Sequence, residues 1–207
     1  KNTRHVVIIR STVLPGTCDR CVEVIAEASG KSYPADFAVV SNPEFLREGS
    51  AIYDTFNPDR IVLGSSNPKA IALMKQLYEP LISGQFSEAT TAKPIPVVET
   101  DLNSAEMIKY AANAFLATKI SFINEVANVC DRVGADILQV AKGIGLDSRI
   151  GNKFLQAGLG WGGSCFPKDV SALIHTAGDY GYQTQVLEAA VEVNKRQKLI
   201  VIEKLQQ

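Results

Sequence analysis

The sequence is short of the residues that build metal centres and disulfide scaffolds, with two histidines and four cysteines in 207 residues. Four cysteines do not make a disulfide framework at this length, and a reducing cytoplasm suits them best. An excess of charge of one sign is also missing. Lys and Arg number 21 against 22 Asp and Glu, a formal net charge of -1, so no global field gathers nucleic acid or an anionic membrane. No apolar run approaches the length of a membrane span. There is no initiator Met. Lys1-Asn2-Thr3-Arg4-His5 leads into an apolar run that reads as a strand rather than a signal peptide, which suggests a piece of a larger protein. Internal repeats and low-complexity segments are absent too. What remains is 46% apolar and 21% charged, the balance of a soluble globular protein able to bury one large domain or two small ones.

Two patterns follow one another along the chain. Short β-branched runs fill the first half: Val6-Val7-Ile8-Ile9, Phe37-Ala38-Val39-Val40, Arg60-Ile61-Val62-Leu63 and Ile95-Pro96-Val97-Val98. Runs apolar on both faces suit strands of a sheet covered by helices. Helical patterns over 17–29 and 68–79 lie between them, each long enough for a crossover. Residues 1–98 therefore read as part of a doubly wound α/β sheet. After Thr100 the period lengthens. Residues 101–132 contain neither Pro nor Gly and carry Met107, Ala111, Ala114, Phe115, Phe122, Val126 and Val129 as an expected apolar stripe. Asp101 or Asn103 would cap this helix, Asn103 with Glu106 resembles a capping box, and Gly134 would end it. A helix this long reads as a domain spine or a subunit interface. Shorter helices are expected over 135–142 and 170–179. Residues 99–183 are thus expected to be all-helical, and 184–207 to begin another long helix.

The most unusual stretch is Gly158-Leu159-Gly160-Trp161-Gly162-Gly163-Ser164-Cys165-Phe166-Pro167-Lys168-Asp169. Its glycines formally match G-x-G-x-x-G, but a dinucleotide fingerprint needs a buried strand just before it, and residues 152–157 are no such strand. Pro167 suits the first turn of a helix, which places Cys165 just before a helix N-terminus. The dipole there and Lys168 both favour thiolate over thiol, and the glycines leave room for a ligand to approach. The bland alternative is a small buried cysteine in a tight turn. Lys109 and Asn113 stand at i and i+4 on one face of the long helix, either as a pair of donors for an oxyanion or as a solvated surface. The turn Ser41-Asn42-Pro43-Glu44-Phe45-Leu46-Arg47-Glu48-Gly49 follows a strand, where α/β sheets bind ligands, and carries two carboxylates four residues apart.

Five stretches together resemble the UDP-glucose/GDP-mannose 6-dehydrogenase family, over essentially the whole chain. They are Ser11-Thr12-Val13-x-Pro15-Gly16-Thr17, Asn42-Pro43-Glu44-Phe45-Leu46-x-Glu48-Gly49, Asn57-Pro58-Asp59-Arg60, Lys109-x-x-x-Asn113 and the run from Gly162 to Asp169. The third is most like the UDP-glucose members. The resemblance implies the last part of an NAD-binding domain followed by a central helical domain on which the family forms homodimers. It implies oxidation of a nucleotide-sugar alcohol such as UDP-glucose to the acid, with NAD as cofactor, two NAD per sugar, and Cys165 as the nucleophile of a thiohemiacetal and thioester. By matching position, Lys109 and Asn113 would stabilise oxyanions, Asp169 with Thr12 would orient water, and Glu44 would be the acid/base of thioester hydrolysis. Ser11, Thr12, Val13, Glu48 and Lys168 would lie near the cofactor. Glu44, Phe45, Leu46, Arg47, Glu48, Lys109 and Asn113 would meet the substrate, as would Phe154, Gly158, Gly160, Trp161 and Gly162. Arg149 matches an arginine that reaches the partner subunit's substrate in family dimers, and its fork of donors suits a diphosphate. Gln156 departs from the basic residue some members carry. The family's glycine loop for the dinucleotide and its carboxy-terminal nucleotide-binding domain have no counterpart in this sequence.

The remaining signals are weaker. Cys18-Asp19-Arg20-Cys21 is a C-x-x-C inside a helical pattern, without a second pair or histidine spacing to make a zinc or redox site. Cys130 reads as a packing residue, and Trp161 as a core anchor or, more strongly, a ligand contact or loop closure. Two functions stay open at this point: an NAD-linked nucleotide-sugar dehydrogenase, with GDP-mannose or a UDP-N-acetylhexosamine as alternative substrates, or a catalytically idle dimerising module.

Overall fold

The computed structural model describes residues 5–85 and 94–206, so Lys1 to Arg4 and the N-terminal reading that rests on them lie outside the described residues. The chain divides into two compact units, Lys1–Lys109 and Tyr110–Gln207.

The first unit is an α/β layer. Its strands are β1 (His5–Ile9), β2 (Phe37–Ser41), β3 (Ile61–Gly64) and β4 (Val97–Thr100), ordered β1-β2-β3-β4 in one sheet. β1 pairs parallel to β2 and β3 parallel to β4, each pair joined through a crossover: α1 (Thr17–Ser29) in the first, α3 (Pro68–Leu77) and α4 (Glu79–Ile82) in the second. Between the pairs, β2 and β3 meet antiparallel at Ser41 and Gly64. The connection there carries only the six-residue α2 (Ala51–Phe56), an element the sequence did not announce. Side-chain alternation divides the core. Ala38 and Val40 of β2, with Ile61 and Leu63 of β3, pack on Ala70, Ile71 and Met74 of α3. Phe37 and Val39 face the other way, onto Cys18 of α1 and Leu102. Each large apolar side chain buried this way contributes roughly 1.5–3 kcal/mol. Cys18 is therefore core rather than half of a redox pair, and burial, then the Glu106 carboxylate, push its thiol far above the usual range.

Helix ends follow local chemistry. Asn67 caps α3 by accepting from the amides of Lys69 and Ala70, with Pro68 in the first turn. α5 (Leu102–Val133) is capped by Asp101, whose Oδ1 accepts from Ser104 N at 2.8 Å, and Gly134, at φ 73°, follows its last residue. The expected capping box does not form. Glu106 turns instead to the start of α1, accepting from Gly16 N at 2.7 Å and Cys18 N at 2.8 Å, while Asn103 donates to Asp19. A carboxylate against two orphan amides of another helix makes stronger bonds than a reciprocal cap on its own.

The second unit is helical: the rest of α5, then α6 (Ile137–Gly145), α7 (Phe166–Asp179) and α8 (Gln185–Leu205). Asp136 caps α6. Ala114, Ala117, Trp161 and Val170 form its core cluster, and Cys130 is buried as expected of a packing residue. The apolar stripe read from α5 is largely on the wrong side. Met107, Phe115, Phe122 and Val129 are exposed, Phe115 at 65% and Phe122 at 54%, while Glu106, Lys109, Asn113, Ser121 and Asn124 are buried. Ala114 alone of the expected stripe is fully buried. The inward face mixes these polar residues with Ala105, Tyr110, Ala117 and Ile123, and four of the large apolar side chains expected inside are left on the other face. Among the described residues no helix is long and apolar enough to cross a membrane.

Candidate functional site

The residues singled out by sequence fall into two groups, one in each unit. In the second unit, Cys165 is the N-cap of α7, with Pro167 in the first turn, and its thiol is exposed. The alternative of a buried structural cysteine is excluded by that exposure. Ser164 Oγ lies 3.7 Å from the sulfur. One turn on, Asp169 is 1% exposed, its amide donating to the Cys165 carbonyl at 2.9 Å. Its two oxygens are both engaged. Oδ2 accepts from Asn113 Nδ2 at 2.6 Å, and Oδ1 is ion-paired with Lys168. That contact with Asp169 holds the Lys168 ammonium above the usual lysine range, with Cys165 a lesser contributor. Lys168 thus answers first to Asp169.

The glycine loop before Cys165 is bolted down rather than open. The Trp161 indole is buried, donating from Nε1 to Ser121 Oγ at 2.8 Å. The Trp161 amide donates to Asn194 Oδ1, and Asn194 Nδ2 donates back to the Trp161 carbonyl. Gly158 donates to Asn124 Oδ1 and accepts from Gln197 Nε2. Gly160, at φ 102°, has no room for a side chain, since a Cβ would fall 2.2 Å from Asn194 Oδ1. The G-x-G-x-x-G match is therefore a packing device against α5 and α8. Trp161 both anchors the core and closes the loop; Gly162 beside it is exposed. Phe154 holds a left-handed backbone, φ 64°, uncommon for a bulky residue, and its ring meets Phe166 edge-on with centroids 6.4 Å apart. Arg149 is on the surface, forked onto Asp147.

In the first unit, the turn after β1 carries Ser11, exposed, with Thr12 and Val13 half-buried. The turn after β2 begins at Asn42, which is buried and makes four contacts. Its Oδ1 accepts from Arg10 Nη1 at 2.8 Å and Tyr78 OH at 2.6 Å, its Nδ2 donates to the Val62 carbonyl, and its amide donates to Ile9 O. Glu44 Oε1 lies 3.7 Å from Lys109 Nζ, and its Oε2 accepts from Leu46 N at 2.6 Å. Lys109 is 4% exposed, so it is no solvated surface lysine. Phe45 lies beneath two cations, with Arg60 Cζ 3.6 Å and Lys109 Nζ 5.1 Å from its ring centroid. Arg47 is forked onto Asp54, and those hydrogen bonds hold the Asp54 carboxyl down at about 2. Leu46 and Glu48 are exposed beside it.

The sequence reading missed Asn42, Asp54 and the latch made by Ser121, Asn124, Asn194 and Gln197. Asn42 stands inside a quoted motif, so its position was visible though its four contacts were not. On α5, Glu106, Lys109, Asn113, Ser121 and Asn124 recur at helical spacing, a signal available to a reader not looking for an apolar face.

A cofactor fit can be tested at the first helix N-terminus. The turn from β1 into α1 has the strand-to-helix form that takes pyrophosphate, but its amides at Gly16 and Cys18 are already filled by Glu106. Among the described residues no strand-to-helix turn carries the glycine fingerprint. The amides at the start of α1 are therefore already taken and do not form an open pyrophosphate cradle.

Comparison with known proteins gives two matching family models. One is the NAD binding domain of the UDP-glucose/GDP-mannose dehydrogenase family, over residues 1–82, and the other that family's central domain, over residues 103–196. A curated relative, UDP-glucose 6-dehydrogenase TuaD of Bacillus subtilis, is 52% identical over 204 residues, covering 99% of this chain and 41% of its own length. A UDP-glucose dehydrogenase structure from Pyrobaculum islandicum superposes with TM-score 0.83 at 41% identity, covering 95% of this chain and 42% of that one. A GDP-mannose dehydrogenase from Pseudomonas aeruginosa superposes with TM-score 0.65 at 34% identity, covering 95% and 43%. The chain thus spans about two fifths of the length of the relatives it matches.

Proposed function

The chain belongs to the UDP-glucose/GDP-mannose dehydrogenase family, and from that premise we propose that it carries the nucleophile and part of the substrate site of an NAD-dependent UDP-glucose 6-dehydrogenase. The observation that carries this reading is the exposed Cys165 thiol at the start of α7, with the buried Asp169–Asn113 pair one turn away. Ser11, Thr12, Val13, Glu48 and Lys168 would meet NAD, which when bound would supply the hydride acceptor for each of two oxidations. After the first, the Cys165 thiolate adds to the aldehyde carbon of the sugar and forms a thiohemiacetal. The second oxidation leaves a thioester. Water then releases the uronate and returns the thiol. Lys109 and Asn113 supply donors to the oxyanions formed when sulfur and water add. Asp169 holds that water, aided by Thr12, once Lys168 moves off its Oδ1. Glu44, half-buried beside Lys109, exchanges the proton in hydrolysis.

The substrate loop is Glu44, Phe45, Leu46, Arg47 and Glu48, with Phe154, Gly158, Gly160, Trp161 and Gly162 as a second lining. Arg149 reaches a partner subunit's diphosphate. Its present partner, Asp147, is at the surface, so the guanidinium can exchange it for a phosphate at small cost. The second copy that brings this about is a homodimer partner seated on the apolar face of α5. Exposed Phe115, Phe122 and Val129 on one helix make such a patch. A reducing cytoplasm keeps Cys165 available as a thiol.

In a protein of the relatives' length carrying this sequence, UDP-glucose and NAD are expected to yield two NADH per uronate, and Cys165→Ala to abolish uronate. Normal uronate formation by Cys165→Ala would falsify the covalent step. GDP-mannose is the second substrate to assay, because the matching family includes its dehydrogenases; preference for it over UDP-glucose would reassign the substrate.

A further inference from the structure

The motif Asn57-Pro58-Asp59-Arg60 has so far no part in the chemistry, yet Arg60 stacks on the loop assigned to the substrate. Its guanidinium carbon is 3.6 Å from the Phe45 ring centroid, which is direct contact. The anchor behind it is rigid, since the next residue, Ile61, opens β3, is buried, and donates to the Pro96 carbonyl at 3.0 Å. Arg60 is half-buried, and among the described residues it forms no ion pair with a carboxylate. Burial pulls its pKa below the ordinary guanidinium value, Asp59 opposing. A part-buried cation without a carboxylate partner is costly, and an aromatic face is the compensation this site offers. Lys109 shares the same ring at 5.1 Å and also meets Glu44 at 3.7 Å. Two like charges over one ring repel. Arg60, the closer, leaves the Lys109 ammonium its favourable contact on the Glu44 side.

We propose that Arg60 is a positioning residue for the nucleotide-sugar loop, its guanidinium stacked on Phe45 fixing Glu44 to Arg47 and holding the Lys109 ammonium against Glu44. The consequence for substrate rests on the function proposed above; the clamp does not. Phe45 is held from behind by a residue that never touches the sugar, so the loop is preorganised before ligand arrives.

The test uses a protein of the relatives' length with UDP-glucose and NAD. Arg60→Gln is expected to raise the KM for UDP-glucose about 3- to 30-fold, the span of a part-buried cation–π contact, with kcat changed less than KM. Arg60→Lys, which keeps the charge over the ring, should recover part of that loss. In a Phe45→Leu background Arg60→Gln should add little to KM. An unfolding cycle on wild type, Arg60→Gln, Phe45→Leu and the double variant reads the clamp without activity, and non-additive midpoints are expected. Equal effects of Arg60→Gln with and without the Phe45 ring, in KM or in unfolding, would overturn the inference. Should wild type form no uronate, the function reading falls and the unfolding cycle alone decides the clamp.

Discussion

Glu106 offers the sharpest test of how the first unit is held together. Its carboxylate is 2% exposed and accepts from Gly16 N and Cys18 N, at 2.7 and 2.8 Å, closing the N-terminus of α1 from a helix almost ninety residues away. Glu106→Gln keeps the shape and one acceptor oxygen. The other becomes an NH2 group facing an amide N–H, so one charge-assisted bond is lost and a buried donor meets a donor. The loss is about 3 kcal/mol, from a charged hydrogen bond worth roughly 1.5–3 kcal/mol and the cost of an unsatisfied buried donor. In a chain of this size each kcal/mol moves the midpoint about 2–4 °C, so a fall of roughly 6–12 °C is expected. Thermal unfolding followed by far-UV circular dichroism measures it. Glu125→Gln, an exposed carboxylate on the same helix, serves as the control, with an expected change within about 0.5 kcal/mol. If Glu106→Gln melts together with that control, the carboxylate is not what closes α1, and the reason given above for the missing capping box fails with it.

Three further outcomes are expected. The folded Asp54 carboxyl sits at about 2 against an ordinary 3.8, so its bonds to Arg47 and Ser50 stabilise the loop above pH 3.8 and lose that effect as pH falls to 2. The stability gap between wild type and Asp54→Asn should therefore shrink across that window in acid unfolding, and a gap constant with pH would refute it. Gly160→Ala puts a Cβ 2.2 Å from Asn194 Oδ1 at a positive φ, and should cost at least about 2 kcal/mol and red-shift the emission of Trp161, the one tryptophan. An unshifted spectrum and midpoint would mean the loop is not latched there. If the proposed homodimer forms on this face, Phe115→Glu with Phe122→Glu should leave a folded monomer in sedimentation, and an undiminished dimer would move the interface elsewhere.

The strands were legible because β2 and β3 are buried on both faces and so read as unbroken runs of Phe, Ala, Val, Ile and Leu. β4 was placed two residues early, since Ile95-Pro96 is as apolar as the strand but proline cannot donate to a ladder. α7 was legible from Pro167 and α1 from its helical pattern over 17–29, both local signals. The antiparallel joint of β2 and β3 was not legible, because register between strands twenty residues apart leaves no mark in either. Cys165, Asp169 and Asn113 could each be singled out from the sequence, whereas the hydrogen bond that joins the last two spans 56 positions and is invisible to spacing. The exposed Cys165 and the buried Lys109 also could not be read from sequence, for exposure belongs to the packed unit.

α5 shows why an apolar stripe is an unreliable guide on a helix with chemical duties. Five of its buried residues are polar, set among small and apolar ones such as Ala105, Ala117 and Ile123, and each of the five meets a polar partner: Glu106 the α1 amides, Lys109 the Glu44 carboxylate, Asn113 the Asp169 carboxylate, Ser121 the Ala190 carbonyl, and Asn124 the Gly158 amide. Buried polar groups are tolerable only when so paired, each pair contributing about 0.5–1.5 kcal/mol and costing more when broken. Ile123 keeps a place inside, while Phe115, Phe122 and Val129 lie on the far face and are exposed. A monomer would carry that face as a standing cost. In the homodimer proposed above, a second copy laid along it would turn that cost into binding energy, so the chemistry assigned to one side of α5 and adhesion on the other would share one helix.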